Sequence, residues 1–136
     1  KLQYYVTACS NDAMQRAVLT ALREAPDYPA QMVAAFRARR DVIVERLNAL
    51  PGVSCHCPEG AFYVFPRVDV PGLTSEDVAL AILTDGALCS PGTAFGPAGA
   101  GHLRLAYTTS MPQIERGLDL VAGTLARLRA AVPAAV

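Results

Sequence analysis

The chain has 136 residues, a length typical of one domain. Hydrophobic residues make up 52% and charged residues 18% of it, and its formal net charge is zero, a composition typical of globular proteins. The balanced charge offers no basic surface to nucleic acid, and no apolar run approaches the roughly 20 residues of a membrane-spanning helix. We therefore expect neither a nucleic-acid partner nor a membrane.

The N-terminal part of the chain is predicted to form two helices. Apolar residues recur at helical spacing from 7 to 24, where Ser10 and Asn11 offer possible starts. After the break at "EAPDYP", a second amphipathic helix is predicted from about Ala30 to Leu50. The first helix fits a single compact core weakly, so its apolar face is expected to serve another domain. The chain also begins with lysine, not methionine, and starts inside what looks like a helix, so we expect it to be part of a longer protein.

The hydrophobic period then changes from helical spacing to alternation. The segments "VSCHC" (53–57) and "AFYVF" (61–65) alternate like strands, and "PEG" lies between them as a turn. They are predicted to pair as an antiparallel hairpin. A helix follows at 73–83, opened by a capping box of Thr74 and Asp77.

The C-terminal part is predicted to contain a short strand at 87–90, a glycine-rich loop and a strand at 102–108. A capping box of Ser110 and Gln113 then opens a final helix, whose apolar stripe runs from Ile114 to Leu128. The last five residues, 132–136, are expected to be loose. Together the pattern predicts an α+β fold, with helices packed on one face of a small and mostly antiparallel sheet.

The four cysteines do not form a metal-binding pattern. They are Cys9, Cys55, Cys57 and Cys89, without a C-x-x-C pair. In a strand, Cys55 and Cys57 point to one face and His56 to the other, so three ligands do not converge. Buried structural thiols in a reducing, cytoplasmic compartment are the favoured interpretation; a metal protein that uses Cys55 and Cys57 is the alternative.

One arginine interrupts the apolar strand after the glycine-rich loop. The loop, "PGTAFGPAGAGH" (91–102), lacks both the G-x-G-x-x-G and the G-K-[ST] patterns, and taken alone its glycines indicate tight turns. Alternation places His102, Arg104 and Ala106 on one face and apolar residues on the other. Arg104 is therefore either a solvated surface arginine or a clamp for a carboxylate, whose geometry matches the planar guanidinium.

Three segments in one register are similar to a known family. "KLQYYVTACSNDAMQRAVLTAL", "PEGAFYVFP" and "SPGTAFGPAGAGHLRLAYTTS" resemble the C-terminal part of fold-type I, pyridoxal-phosphate-dependent aminotransferases of class I/II, the aspartate aminotransferase-like group. The resemblance implies that residues 1–28 form a connecting helix from a missing large domain and that 29–131 form the small-domain core. It also implies that Arg104 binds the substrate's α-carboxylate and that Phe62 lies near the substrate cavity.

The same resemblance implies chemistry that this chain does not contain. The family needs a lysine that forms an aldimine with pyridoxal 5'-phosphate and an aspartate that pairs with its ring nitrogen. Eleven of the twelve basic residues are arginine, which forms no Schiff base, and the surroundings of Lys1 differ from those of the family's lysine. The chain alone is therefore expected to bind no cofactor and to be inactive. The parent enzyme is expected to be a homodimer that acts on amino acids and 2-oxo acids. A stand-alone, non-catalytic interaction or ligand-sensing domain is the alternative.

Overall fold

The computed structural model describes residues 2–9 and 11–131. These residues form two compact units, one up to residue 35 and the other from residue 36 onward. Helices combine with short antiparallel strands, so the predicted α+β class is confirmed. No helix in the described part of the chain combines the length and the apolar character that crossing a bilayer requires. The predicted loose tail, 132–136, and Lys1 lie outside the described residues.

Residues 2–24 form two helices where one was predicted. Helix α1 spans Leu2–Thr7 and helix α2 spans Asp12–Glu24. The chain leaves the helix at Ala8, whose φ is 54°, and the Asn11 side chain then caps α2 by accepting from the Met14 N–H at 3.3 Å. Of the two predicted starts, Asn11 is confirmed, whereas Ser10 lies outside the described residues. No residue of α2 is buried, although its apolar residues share one face.

Three helices contribute to the core of the second unit. Helix α3 spans Tyr28–Asn48, α4 spans Ser75–Thr84 and α5 spans Met111–Ala131. Helix α3 ends two residues before the predicted limit, Leu50. The predicted capping box at the start of α4 is present, since the side chains of Thr74 and Asp77 each accept from the other's backbone N–H. The buried helical residues that line the core are Ile43, Leu47, Val78, Ala79, Ile82, Ile114, Leu118, Val121 and Leu125.

The strands form two small sheets, and every pairing is antiparallel. Strand β1 (Val53–Ser54) pairs with β3 (Arg67–Val68). The second sheet has the order β2-β5-β4 and consists of Tyr63–Val64, Leu103–Ala106 and Ser90–Pro91. Strand β5 is therefore central and is paired on both edges. The strand predicted at 87–90 begins only at its last residue.

The predicted hairpin between 53–57 and 61–65 is wrong. β1 pairs with β3, beyond Pro66, and β2 pairs with β5. The backbone of Cys55 finds its partner in a side chain instead of a strand: its N–H donates to Asn48 Oδ1 at 2.7 Å and its carbonyl accepts from Asn48 Nδ2 at 2.9 Å. Since both backbone groups of Cys55 are already satisfied, this residue needs no ladder partner. Alternation identified the faces of these segments but not their partners.

Candidate functional site

The candidate site is built on the central strand β5. Leu103 and Leu105 are buried, with 1% and 9% exposure, and pack in the core below the sheet. Arg104 lies between them on the opposite face, where it is half-buried. The predicted alternation of faces along this strand is therefore confirmed, and the core packing of the two leucines fixes the side from which the guanidinium projects.

Two aromatic rings surround the Arg104 guanidinium. Its Cζ lies over the Tyr63 ring, 4.6 Å from the centroid, and over the Phe95 ring at 4.4 Å. Its Nη2 donates to Ser90 Oγ, the side chain directly opposite on β4, at 3.4 Å. Within residues 2–9 and 11–131, no carboxylate forms an ion pair with Arg104. Among the described residues, the guanidinium therefore contacts ring faces and a hydroxyl, and N–H donors remain for an anion.

The glycine-rich loop places Phe95 next to this arginine. It folds as two 3-10 turns, Gly92–Phe95 and Pro97–Gly99. The turns pack so closely that a Cβ at Gly92 would lie 2.2 Å from the Gly99 carbonyl oxygen, and one at Gly99 would lie 2.0 Å from that of Gly92. The space that these two glycines leave is thus filled by the loop's own backbone. Between the turns, Gly96 has a φ of 117°, which residues with a side chain rarely adopt.

Helix α4 anchors the loop. Ser75 is buried and its Oγ accepts from the Gly101 N–H at 3.0 Å. At the other end of the loop, the Thr93 hydroxyl donates to the Glu76 carboxylate. That hydrogen bond is the main reason why the pKa of Glu76 is lowered. The first turn of α4 therefore fixes both ends of the segment that carries Phe95.

Aromatic contacts continue from Phe95 along the open face of the sheet. The Phe65 ring meets the Phe95 ring edge to face, with the centroids 6.0 Å apart. It also stacks on the His102 ring at 5.2 Å, and His102 Nδ1 is 3.0 Å from the Ala100 carbonyl oxygen. The sequence interpretation did not include Tyr63, Phe65 or Phe95 in the site. Tyr63 and Phe65 could have been assigned to one face of the strand, because side chains alternate along "AFYVF".

The structure connects Phe62 to Arg104 through Tyr63. The Phe62 ring lies 4.4 Å from the Tyr63 ring and 6.5 Å from the Phe36 ring, and its carbonyl accepts from the Tyr107 N–H at 3.0 Å. The contacts of the guanidinium are with Tyr63 and Phe95. The rings of Tyr63, Phe65, Phe95 and His102 form an aromatic cluster beside Arg104. Phe62, which is 42% exposed, contacts this cluster at its margin, through Tyr63.

The cysteines differ in their surroundings. Cys55 is buried, as expected, and burial raises the pKa of its thiol to about 11. Cys57 is exposed, so the prediction of a buried thiol is wrong there. The regular alternation that would bury it ends with β1 at Ser54. Among the described residues, no group of three or more His, Cys, Asp or Glu side chains is close enough to bind a metal ion.

Residues 2–9 and 11–131 offer no amine side chain for covalent attachment of pyridoxal phosphate. Such attachment needs a lysine amine, and the single lysine of the sequence, Lys1, lies outside the described residues. What the described residues offer is an arginine among aromatic rings, which can bind and orient a carboxylate.

The chain is similar to known proteins over most of its length. Residues 3–121 match the model of the family described as aminotransferase class I and II. The chain is 38% identical over 119 residues to the putative aminotransferase YugH of Bacillus subtilis, covering 87% of this chain and 31% of that protein. It is 35% identical over 122 residues to the aspartate aminotransferase of Pyrococcus abyssi, covering 88% and 31%.

Solved structures show the same similarity. The alanine aminotransferase from Pyrococcus furiosus matches with a TM-score of 0.83 and 31% identity, over 90% of this chain and 32% of that one. The aspartate aminotransferase from Rhizobium meliloti matches with a TM-score of 0.82 and 30% identity, over 93% and 34%. The chain thus spans about a third of the length of these relatives. On the extent of the family match, it belongs to the class I and II aminotransferases.

Proposed function

We propose that this chain is the substrate-binding small domain of a pyridoxal-phosphate-dependent aminotransferase, which moves an amino group between an amino acid and a 2-oxo acid. Arg104 binds the carboxylate that both substrates carry. The observation that supports this role is a half-buried guanidinium on the open face of the sheet, without a carboxylate partner among the described residues.

A guanidinium suits this task because its planar fork donates two parallel hydrogen bonds to a carboxylate. Such a pair fixes the orientation of the substrate as well as its position, and orientation contributes to catalysis by reducing the entropy lost in the reaction step. We propose that Phe62, which contacts Tyr63 at the margin of the aromatic cluster, lines the side of the same substrate cavity.

The cofactor belongs to another part of the proposed enzyme. Pyridoxal phosphate, when bound, supplies an electron sink for chemistry at the amino acid's α-carbon. Since the described residues contain no lysine, we infer that this chain binds and orients substrate but does not attach the cofactor, and that it is inactive alone.

The partners follow from the share of the relatives that the chain covers. We propose that the remaining two-thirds corresponds to a large, cofactor-binding domain, linked through residues 1–28 to the small-domain core at 29–131. The parent enzyme is a homodimer in this proposal. A cytoplasmic location is supported by the cysteines, all four of which are free thiols, as expected in a reducing compartment.

A chimera tests the role of Arg104. The segment of the Pyrococcus abyssi aspartate aminotransferase that this chain matches is replaced by the chain, and transamination of aspartate is measured. In R104K, the charge remains but the planar fork is lost, so we expect KM to rise about ten- to a hundredfold, the range for a lost hydrogen bond to a charged group. Cofactor absorbance, measured in parallel, reports that the chimera is folded.

The matched control is R116K, which makes the same exchange at an exposed arginine on α5 and should leave KM unchanged. An R104K chimera with native absorbance and an unchanged KM would refute the proposed role.

A further inference from the structure

We propose that Tyr63 and Phe95 are positioning residues, which fix the guanidinium of Arg104 in one orientation before any substrate arrives. That this orientation favours carboxylate binding rests on the proposed function, in which Arg104 binds the substrate. The orientation itself rests on contacts within this chain, and the two parts can be tested separately.

The two rings reach Arg104 from neighbouring elements on either side of its strand. Tyr63 belongs to β2 and Phe95 to the 3-10 turn that follows β4, and β5 lies between β2 and β4. The Cζ atom lies over both rings, at 4.6 Å and 4.4 Å from their centroids. These ring contacts restrain the guanidinium, and of its several N–H donors one goes to Ser90 Oγ.

Each ring is itself restrained by neighbours. Tyr63 is opposite Ala106 in the β2–β5 ladder and contacts the Phe62 ring. Phe95 meets Phe65 and is carried by the turn that the Gly92 and Gly99 backbones close. The guanidinium therefore lies against aromatic surfaces whose own positions are set by the sheet and the loop.

The exposure of Phe95 argues against a role in the core. Its side chain is 53% exposed, so its removal leaves no large cavity. Its ring contacts are with Arg104 and Phe65. A free arginine samples many rotamers, and ordering them on binding weakens affinity. Contacts that restrict the side chain beforehand therefore favour binding.

Nuclear magnetic resonance of the chain itself tests the orientation. Protons above a ring face resonate upfield, so the Arg104 Nε–H proton should lie upfield of the other arginine signals; R104K identifies it by its disappearance. F95L and Y63L should each move that signal downfield, whereas F95Y and Y63F, which keep a ring, should not. L83A, which removes an exposed apolar side chain of α4 but no aromatic ring, should have no effect.

The aspartate aminotransferase chimera tests the consequence. Contacts of this kind at partly exposed sites predict a rise in KM of roughly two- to fivefold in F95L and Y63L. The same loss should apply to ground state and transition state, so kcat should change little. F95Y and Y63F should restore KM. If R104K raises KM but both leucine variants leave it unchanged, the positioning role is overturned.

The two proposals fail in different ways. An Arg104 signal that neither leucine substitution moves overturns the inference, whatever the chimera shows. A signal that moves as expected, together with an R104K chimera of unchanged KM, overturns the proposed function and leaves the fixed orientation of the guanidinium established.

Discussion

Burial separates the thiols of this chain into two reactive classes. Burial raises the pKa of Cys55 and of Cys89 from 9.0 to about 11, whereas Cys9 and Cys57 are exposed. Because the thiolate is the reactive form, we expect a thiol reagent at pH 8 to modify Cys9 and Cys57 quickly and Cys55 and Cys89 slowly. Mass spectrometry of the labelled peptides checks which two react.

The double variant C9S/C57S should abolish the fast phase, while unfolding in urea should release the slow one. The raised pKa values also determine how stability changes at alkaline pH. Between pH 9 and 11 the unfolded chain loses these two thiol protons and the folded chain retains them, so the free energy of unfolding falls as pH rises. Fast labelling of Cys55 in the native chain would contradict the burial described above.

Part of the site could be predicted at the level of single residues. Alternation in "HLRLAYT" was enough to put Arg104 on the face opposite Leu103 and Leu105. The rings that contact it could not be found in this way, because Tyr63 is brought near by the pairing of β2 with β5 and Phe95 by a 3-10 turn. Neither the register of separated strands nor the shape of a turn follows from periodicity.

Among the elements, the glycine-rich loop offers a sharp test. An alanine Cβ at Gly92 would lie 2.2 Å from the Gly99 carbonyl oxygen and 2.8 Å from that of His102. Backbone atoms cannot move away cheaply, so G92A should destabilise the fold by about 1 to 3 kcal/mol, the usual cost of overpacking. Urea denaturation measures the change.

Gly123 provides the matched control. It lies inside α5, and a Cβ there meets nothing within 4 Å, so G123A should stabilise the chain by roughly 0.5 to 1 kcal/mol, as expected when alanine replaces glycine in a helix. If both variants behave alike, the close packing of the two turns is refuted.

The strand pairing shows where prediction of the elements stops. The Thr74–Asp77 capping box could be predicted because its hydrogen bonds join residues three positions apart. The segments 53–57 and 61–65 were expected to pair because a turn lies between them, yet each pairs with a more distant strand. The Asn48 amide, which satisfies the backbone of Cys55, carries no periodic signal in the sequence.

In the second unit, three carboxylates make the stability of the fold depend on pH. Asp85, at the end of α4, accepts from Thr124 and Arg127 of α5, and these hydrogen bonds lower its pKa. The pKa values of Glu76 and Asp77 are lowered by Thr93 and Thr74 in the same way. Groups with lowered pKa values stabilise the fold above the ordinary pKa, and that contribution is lost as pH falls through the folded value.

We therefore expect urea midpoints to be constant near neutral pH and to fall below about pH 4, where carboxylates begin to bind protons. D85N should be less stable at pH 7 and should lose less stability on acidification, because the contact between α4 and α5 no longer depends on a titrating group. E115Q, at an exposed position of α5, serves as the control. A pH profile of D85N parallel to that of the parent chain would argue against the link.

Strand β5 also limits how this region can change in evolution or by design. Its four residues alternate between the core and the open face. Deleting one of them would move every later residue of the strand to the opposite face, and an apolar side chain would then lie on the open face, where the charged group now lies. In homologous chains we therefore expect insertions and deletions to lie outside this strand. Those within it should involve two residues at a time, because only an even number of added or removed residues keeps each side chain on its own face of the sheet.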